Sequence, residues 1–197
     1  MNKSFVAVAL LVGSAFLSAF NPVSAQTLSP VTIKDLPADP ANPQGGQPGV
    51  GSGKYTLFSL KDGKQVPNSD SSTAKWDVGF RATTIIVNGG AGRVGKGGAA
   101  VQNGTFDALT AVPENVVFAQ DESSKLAILT GSGNGWYTYG GGAITPTADK
   151  VLLIRTADGK YAKMEIQSYY KGGDAGGESR YYTFRYVYQP DGSKNLK

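Results

Sequence analysis

The chain has 197 residues, a formal net charge of +4, 27 glycines, ten tyrosines, and neither His nor Cys. The lack of both rules out Ser-His-Asp and Cys-His nucleophilic centres, His- or Cys-rich zinc sites and any disulfide framework. Its basic residues are scattered singly rather than gathered in a stripe, so nucleic acid is not an expected partner.

In chain order, Asn2 and Lys3 precede an uncharged apolar run from Phe5 to Phe20, followed by the helix breakers Asn21-Pro22 and then Val23-Ser24-Ala25. This is the layout of a secretory signal with cleavage after Ala25. The run is short of the roughly 20 apolar residues that a membrane-spanning helix needs. Residues 1–25 are therefore expected to be removed, leaving a mature chain without a membrane span. With no Cys to carry lipid, that chain is expected in the periplasm or outside the cell. Residues 26–53 carry five prolines, Pro30, Pro37, Pro40, Pro43 and Pro48, among small polar residues and read as an extended leader.

A single domain over residues 54–197 is long enough to bury a substantial core without metal or disulfide staples. Abundant Gly and Tyr, with no helical stretch of Ala, Leu, Glu and Lys, predict an all-β, single-domain antiparallel sheet. Tyr55–Leu60 with the turn Lys61-Asp62-Gly63-Lys64 reads as a first hairpin. Lys75–Arg81 alternates, with Trp76, Val78 and Phe80 on one face and Lys75, Asp77 and Arg81 on the other, as in a half-buried strand. Thr83–Val87 is β-branched throughout and reads as the next strand, ended by Asn88-Gly89-Gly90.

Glycine then dominates as far as Gly104. Gly90-Ala91-Gly92-Arg93-Val94-Gly95-Lys96-Gly97 has the glycine spacing and the lysine of a phosphate-binding loop. Gly97, however, stands where a hydroxyl should meet magnesium, and Gly98-Ala99-Ala100 follow where a helix should open. The segment therefore reads as a flexible loop between strands. Residues 113–129 fit either a short helix or two strands broken at Asp121-Glu122.

Trp136-Tyr137-Thr138-Tyr139 leads into Gly140-Gly141-Gly142. Val151–Thr156 is apolar on both faces, as in a central strand. The turn Ala157-Asp158-Gly159-Lys160 opens Tyr161–Tyr170, where Ala162, Met164 and Ile166 share a face. Tyr181–Tyr188 closes the series before Pro190-Asp191-Gly192. Fifteen acidic residues single out no facing pair for glycoside hydrolysis, and no assembled set of catalytic roles is visible, so an enzyme is not expected.

Four separated blocks occur in one order: Trp76–Arg81, Thr83–Gly90, Val151–Tyr170 around Arg155-Thr156-Ala157-Asp158-Gly159-Lys160-Tyr161-Ala162-Lys163, and Tyr181–Tyr186. Together they resemble the HmuY family of bacterial haem-binding proteins, over roughly Lys54 to Lys194. The resemblance implies a hand-shaped all-β fold whose projecting loops clasp one haem. It further implies a non-catalytic, exported haemophore for iron acquisition, handing haem or porphyrin to a TonB-dependent outer-membrane receptor.

The resemblance implies axial ligation as in the best-known relatives, where two histidines come from the loop after the Trp-Tyr segment and the loop after the Ser-Tyr-Tyr segment; other relatives use methionine. Here those loops are Gly140–Thr147 and Lys171–Arg180, and neither contains His or Met. The haem-contacting candidates are Trp136, Tyr137, Tyr139, Met164, Tyr169 and Tyr170, with Lys171 or Arg180 toward a propionate. For the metal itself Tyr139 comes first, as the last aromatic residue before the glycine turn, because ferric iron lowers the proton affinity of a bound phenol. Met164 alternates with Ala162 and Ile166 and so also reads as core. The alternative is a relative of the same fold that has lost axial ligation and binds another ligand or serves as a surface interaction protein.

Overall fold

A computed structural model describes residues 28–40 and 50–197. The expected signal segment and its cleavage point lie outside the described residues. Eleven strands run β1 Val31–Pro37, β2 Thr56–Ser59, β3 Lys64–Val66, β4 Val78–Arg81, β5 Thr84–Val87, β6 Gly98–Asn103, β7 Tyr137–Gly140, β8 Ala143–Pro146, β9 Lys150–Arg155, β10 Tyr161–Tyr170 and β11 Ser179–Gln189. They form a five-stranded sheet β1-β11-β10-β9-β6, a four-stranded sheet β3-β2-β4-β5 and a two-stranded ribbon β7-β8, with every strand pair antiparallel. The all-β antiparallel expectation holds.

The two larger sheets share one core. Phe58, Val78, Phe80, Ile85 and Val87 from the smaller sheet meet Leu152, Ile154, Ala162, Met164, Ile166, Phe184 and Tyr186 from the larger. Phe58 meets Phe184 edge-on at 5.5 Å between centroids, and Phe80 stacks on Phe184 at 5.4 Å. Such pairs add about 0.5–1.5 kcal/mol each beyond the area they bury. The back of the larger sheet is covered too: Val151 and Val187 pack on Phe106, and Leu153 packs with Val112 and Leu196. That second covering explains why β9 is apolar on both faces.

Lys163 projects into the same back layer and is buried there. Its Nζ donates to the carbonyls of Phe106 and Leu109, both at 2.8 Å, and lies 4.4 Å from the Phe106 ring centre. Desolvation lowers its pKa, and the nearby Asp107 partly offsets that.

Four expectations need correction. Part of the stretch read as leader is β1, paired with β11 from Val31↔Tyr186 to Pro37↔Tyr181, so the folded region starts well before Lys54. Leu36 is buried in the core, which supplies the hydrophobic reason for docking. Trp76 does not share the face of Val78 and Phe80 but joins Leu57 and Ile86 on the outer side of the smaller sheet. Asp77, expected toward solvent, is turned inward instead. Its Oδ2 accepts from Leu60 N at 2.8 Å and its Oδ1 from Ala157 N at 2.9 Å, tying the first hairpin to the β9–β10 turn.

Residues 90–97 form the expected loop between strands, leading from β5 into β6 (Gly98–Asn103), which pairs along β9. The chain thus enters a strand where a phosphate-binding loop requires a helix. Lys96 is pinned by its backbone, N donating to Ala157 O at 2.8 Å and O accepting from Arg155 Nε at 2.8 Å, while its side chain is exposed. The fourth correction is at 140–147, expected as a loop, which forms most of the β7–β8 ribbon. Its two-residue turn, Gly141-Gly142, has φ of 59° and 82°, the sign pattern that favours glycine in a tight hairpin. Residues 113–129 adopt neither a helix nor paired strands. They cross the sheets through single bridges such as Ala99↔Ala119 and Gly90↔Asp121.

Candidate functional site

At the end of the sandwich where β7 enters, four of the predicted residues come together around a fifth. Trp136 lies 4.9 Å from Tyr137, 5.9 Å from Tyr169 and 5.1 Å from Tyr182, centroid to centroid. Tyr169 in turn meets Tyr170 at 5.4 Å and Tyr182 at 5.5 Å, both edge-on. Tyr182 was not singled out as a site residue. The signal for it was present, since it precedes Phe184 and Tyr186 at a spacing of two on β11 and therefore faces the core.

Each polar atom of the cluster that reaches a backbone group fixes a neighbouring element. Trp136 Nε1 donates to Thr83 O at 3.0 Å, and the Tyr182 hydroxyl donates to Ala82 O at 2.8 Å. The Tyr170 hydroxyl accepts from Ile144 N at 2.8 Å, which fastens β8 to the end of β10. The cluster is thus a buried platform beneath the ribbon.

Tyr139 does not join that platform. It sits on the ribbon at 61% exposure, its N donating to Ser132 Oγ at 2.7 Å. Met164 is equally separate, at 0% exposure within the core. In the turn after β10, Gly172 N donates to Asp35 Oδ1 of β1 at 2.8 Å. Lys171 there pairs with Glu178 at 3.2 Å, both side chains half or more exposed, an interaction worth little in water and readily exchanged for another anion. Arg180 is held more firmly: its Nη1 donates to Asp39 O at 3.0 Å, and its guanidinium also hydrogen-bonds the Tyr169 hydroxyl.

Burial shifts the titration of several phenols. It pushes Tyr169 from 10.0 to about 12 despite the Arg180 contact, and Tyr182 well above 10.0. With no cation bound, both phenols stay neutral through the ordinary pH range. Tyr188, also raised to about 12 by burial, lies on β11 among Asp158, Asp77 and Asp62. Since the folded-state values exceed the unfolded ones, the stability from these neutral phenols is complete below about pH 10 and is lost as pH rises through 12. Near-UV circular dichroism and phenolate absorbance followed upward from pH 9 (on the order of one unit below the ordinary tyrosine value) should change together in a cooperative transition. Complete phenolate absorbance by about pH 11 with the dichroism intact would contradict this.

A profile of the HmuY protein family matches residues 52–186. The chain belongs to the HmuY family. Among solved structures, the apo form of a HmuY analogue from Tannerella forsythia aligns over 86% of this chain and 100% of its own, at 16% identity and a TM-score of 0.53, a likeness of fold. A candidate HmuY-like haem-binding protein from Bacteroides vulgatus aligns over 81% of this chain and 91% of its own, at 17% identity and a TM-score of 0.48. A candidate lipoprotein from Bacteroides fragilis aligns over 69% and 86%, at 20% identity and 0.43. No curated protein matches the chain.

For haem iron, the donor set of this chain is narrow. His and Cys are absent and Met164 is sealed in the core, so a bis-histidine, bis-methionine or thiolate site does not fit. Of the named tyrosines, Tyr139 is the exposed one. No helix among the described residues is long and apolar enough to cross a membrane.

Proposed function

We propose that this HmuY-family chain is an exported, non-catalytic binder of haem or a related porphyrin, which it passes to an outer-membrane receptor. The observation that carries the reading is the placement of Tyr139, an exposed phenol beside a glycine turn, on a ribbon anchored to a buried aromatic platform. In this reading Tyr139 is the protein's ligand to ferric iron. The ribbon and the 171–180 turn form the margins that cover the ring, and Lys171 exchanges Glu178 for a propionate. Bound haem would supply a flat apolar face and a ferric centre. The chain's own contribution is to orient Tyr139 and exclude water from the ring. Export rests on residues 1–25 acting as the cleaved signal.

Titration of the mature protein with haemin is expected to give a ferric high-spin spectrum with a phenolate charge-transfer band. Tyr139→Phe should abolish the band and leave the thermal midpoint unchanged, because the side chain is solvent-facing. Unchanged spectra and affinity in Tyr139→Phe would remove Tyr139 as the ligand. A second reading, a HmuY relative that binds a different ligand, is favoured by the lack of His and Met in both 140–147 and 171–180. Failure to bind haemin at micromolar concentration would decide for it.

A further inference from the structure

A groove of about 370 Å³ lies on the outer face of the smaller sheet, away from the shared core. Leu57, Trp76 and Ile86 form its apolar floor, and they close over Gly79, where a Cβ would come within 2.9 Å of Ile86 and 3.1 Å of Leu57. The volume is near the lower limit of small-molecule sites, roughly 300 Å³, and suits a single ring rather than a macrocycle.

The charge in this groove is one-sided. Lys54, Arg81 and Arg93 line it, and no Asp or Glu does. Arg93 is neutralised by Asp121. Lys54 and Arg81 are not: all fifteen acidic residues of the chain are described, and neither cation forms an ion pair with any of them. Arg81 is nevertheless held in place. Its guanidinium stacks on Tyr55, 4.3 Å from the ring centre, and Nη1 donates to Gly53 O at 3.1 Å. Nε and Nη2 remain without a protein acceptor among the described residues. An oriented guanidinium beside an ammonium, without a counter-charge and next to an apolar floor, is the arrangement that recognises an oxyanion on an apolar body.

We propose that this groove is a second binding site, for a small organic anion carrying one carboxylate or sulfonate on an apolar ring. Arg81 and Lys54 hold the oxyanion, and Leu57, Trp76 and Ile86 receive the ring. The proposal does not depend on haem binding.

Calorimetric titration of the mature chain with benzoate, benzenesulfonate, benzyl alcohol and inorganic sulfate tests it. Both aromatic anions are expected to bind about tenfold or more tighter than either the neutral alcohol or sulfate, since each of those lacks one half of the recognition. Arg81→Gln should weaken benzoate by about tenfold or more, and Lys54→Gln by a smaller factor, as expected for a fixed and a mobile charge-assisted contact. Lys54 is exposed, so Lys54→Gln keeps the test valid if Arg81→Gln fails to fold. Equal affinity for sulfate and benzoate, or unaltered benzoate affinity in a folded Arg81→Gln or Lys54→Gln variant, would overturn the proposal. Haemin affinity should be the same in both variants. A parallel loss would assign these cations to the haem site instead and also overturn the second site.

Discussion

Asp121→Ala should lower the unfolding free energy by about 3–5 kcal/mol, the range found when one partner of a buried ion pair is removed. Asp121 is 3% exposed on a segment with no helix or paired strand, and its carboxylate organises three separate pieces of chain. Oδ2 accepts from Val87 N at 2.9 Å, at the end of β5, and from Arg93 Nη1. Oδ1 accepts from Ala127 N at 2.8 Å. Its backbone is engaged as well: Ala91 N donates to Asp121 O at 2.8 Å. Gly90 approaches so closely that a Cβ there would lie 2.0 Å from that oxygen, and its φ is 100°.

Truncation would leave the buried Val87 amide and the part-buried Ala127 amide without their acceptor, and the Arg93 guanidinium with Val87 O but no counter-charge. The individual penalties, about 1–3 kcal/mol per orphaned group, overlap rather than add. Arg93→Met should cost less, because the carboxylate keeps both amide donors and the groove admits solvent. Denaturant unfolding of the two variants would check the order. A loss below about 1 kcal/mol for Asp121→Ala would show that the segment is held by its apolar contacts alone.

Asp121 also marks where sequence reasoning reaches its limit. Strands β9, β10 and β11 were legible because their apolar positions keep one period over many residues, and tight turns such as Asp158-Gly159 separate them. Strand β1 was not, because a register shift between Ile33 and Leu36 breaks the alternation, with Asp35 at φ 53° and prolines at both ends. Trp76 and Asp77 were assigned to the wrong faces for a related reason: β4 begins only at Val78, and a carboxylate that satisfies distant amides is not predictable from period two. At the candidate site, Trp136, Tyr137, Tyr169 and Tyr170 were legible as strand aromatics. That they meet around Tyr182, and that Tyr139 does not, depends on how the β7–β8 ribbon docks on β10, which is a tertiary matter.

Tyr182→Ala is expected to cost about 3–5 kcal/mol, as for other large aromatic truncations in a packed core, and to disable the candidate site at a distance. Its ring is fully buried and contacts Phe80 at 4.9 Å, Trp136 at 5.1 Å and Tyr169 at 5.5 Å, so it joins the sandwich core to the platform under the ribbon. Removing it leaves a cavity that Trp136 and Tyr169 can fill only by moving. Trp136 precedes β7 and is bonded to Thr83 O, and Tyr169 precedes the residue that anchors Ile144, so such movement shifts the ribbon that carries Tyr139. Tyr182→Phe keeps the ring and loses only the bond to Ala82 O, whose residue holds φ 45°. It should cost about 1–3 kcal/mol for the unsatisfied carbonyl, with the ribbon in place. The pair separates packing from hydrogen bonding. If haemin binds, its affinity should fall in Tyr182→Ala, measured where that variant remains folded, and persist in Tyr182→Phe. Equal affinity in the two variants would mean that the ribbon holds its position without the platform, and that Tyr139 is oriented by β7–β8 pairing alone.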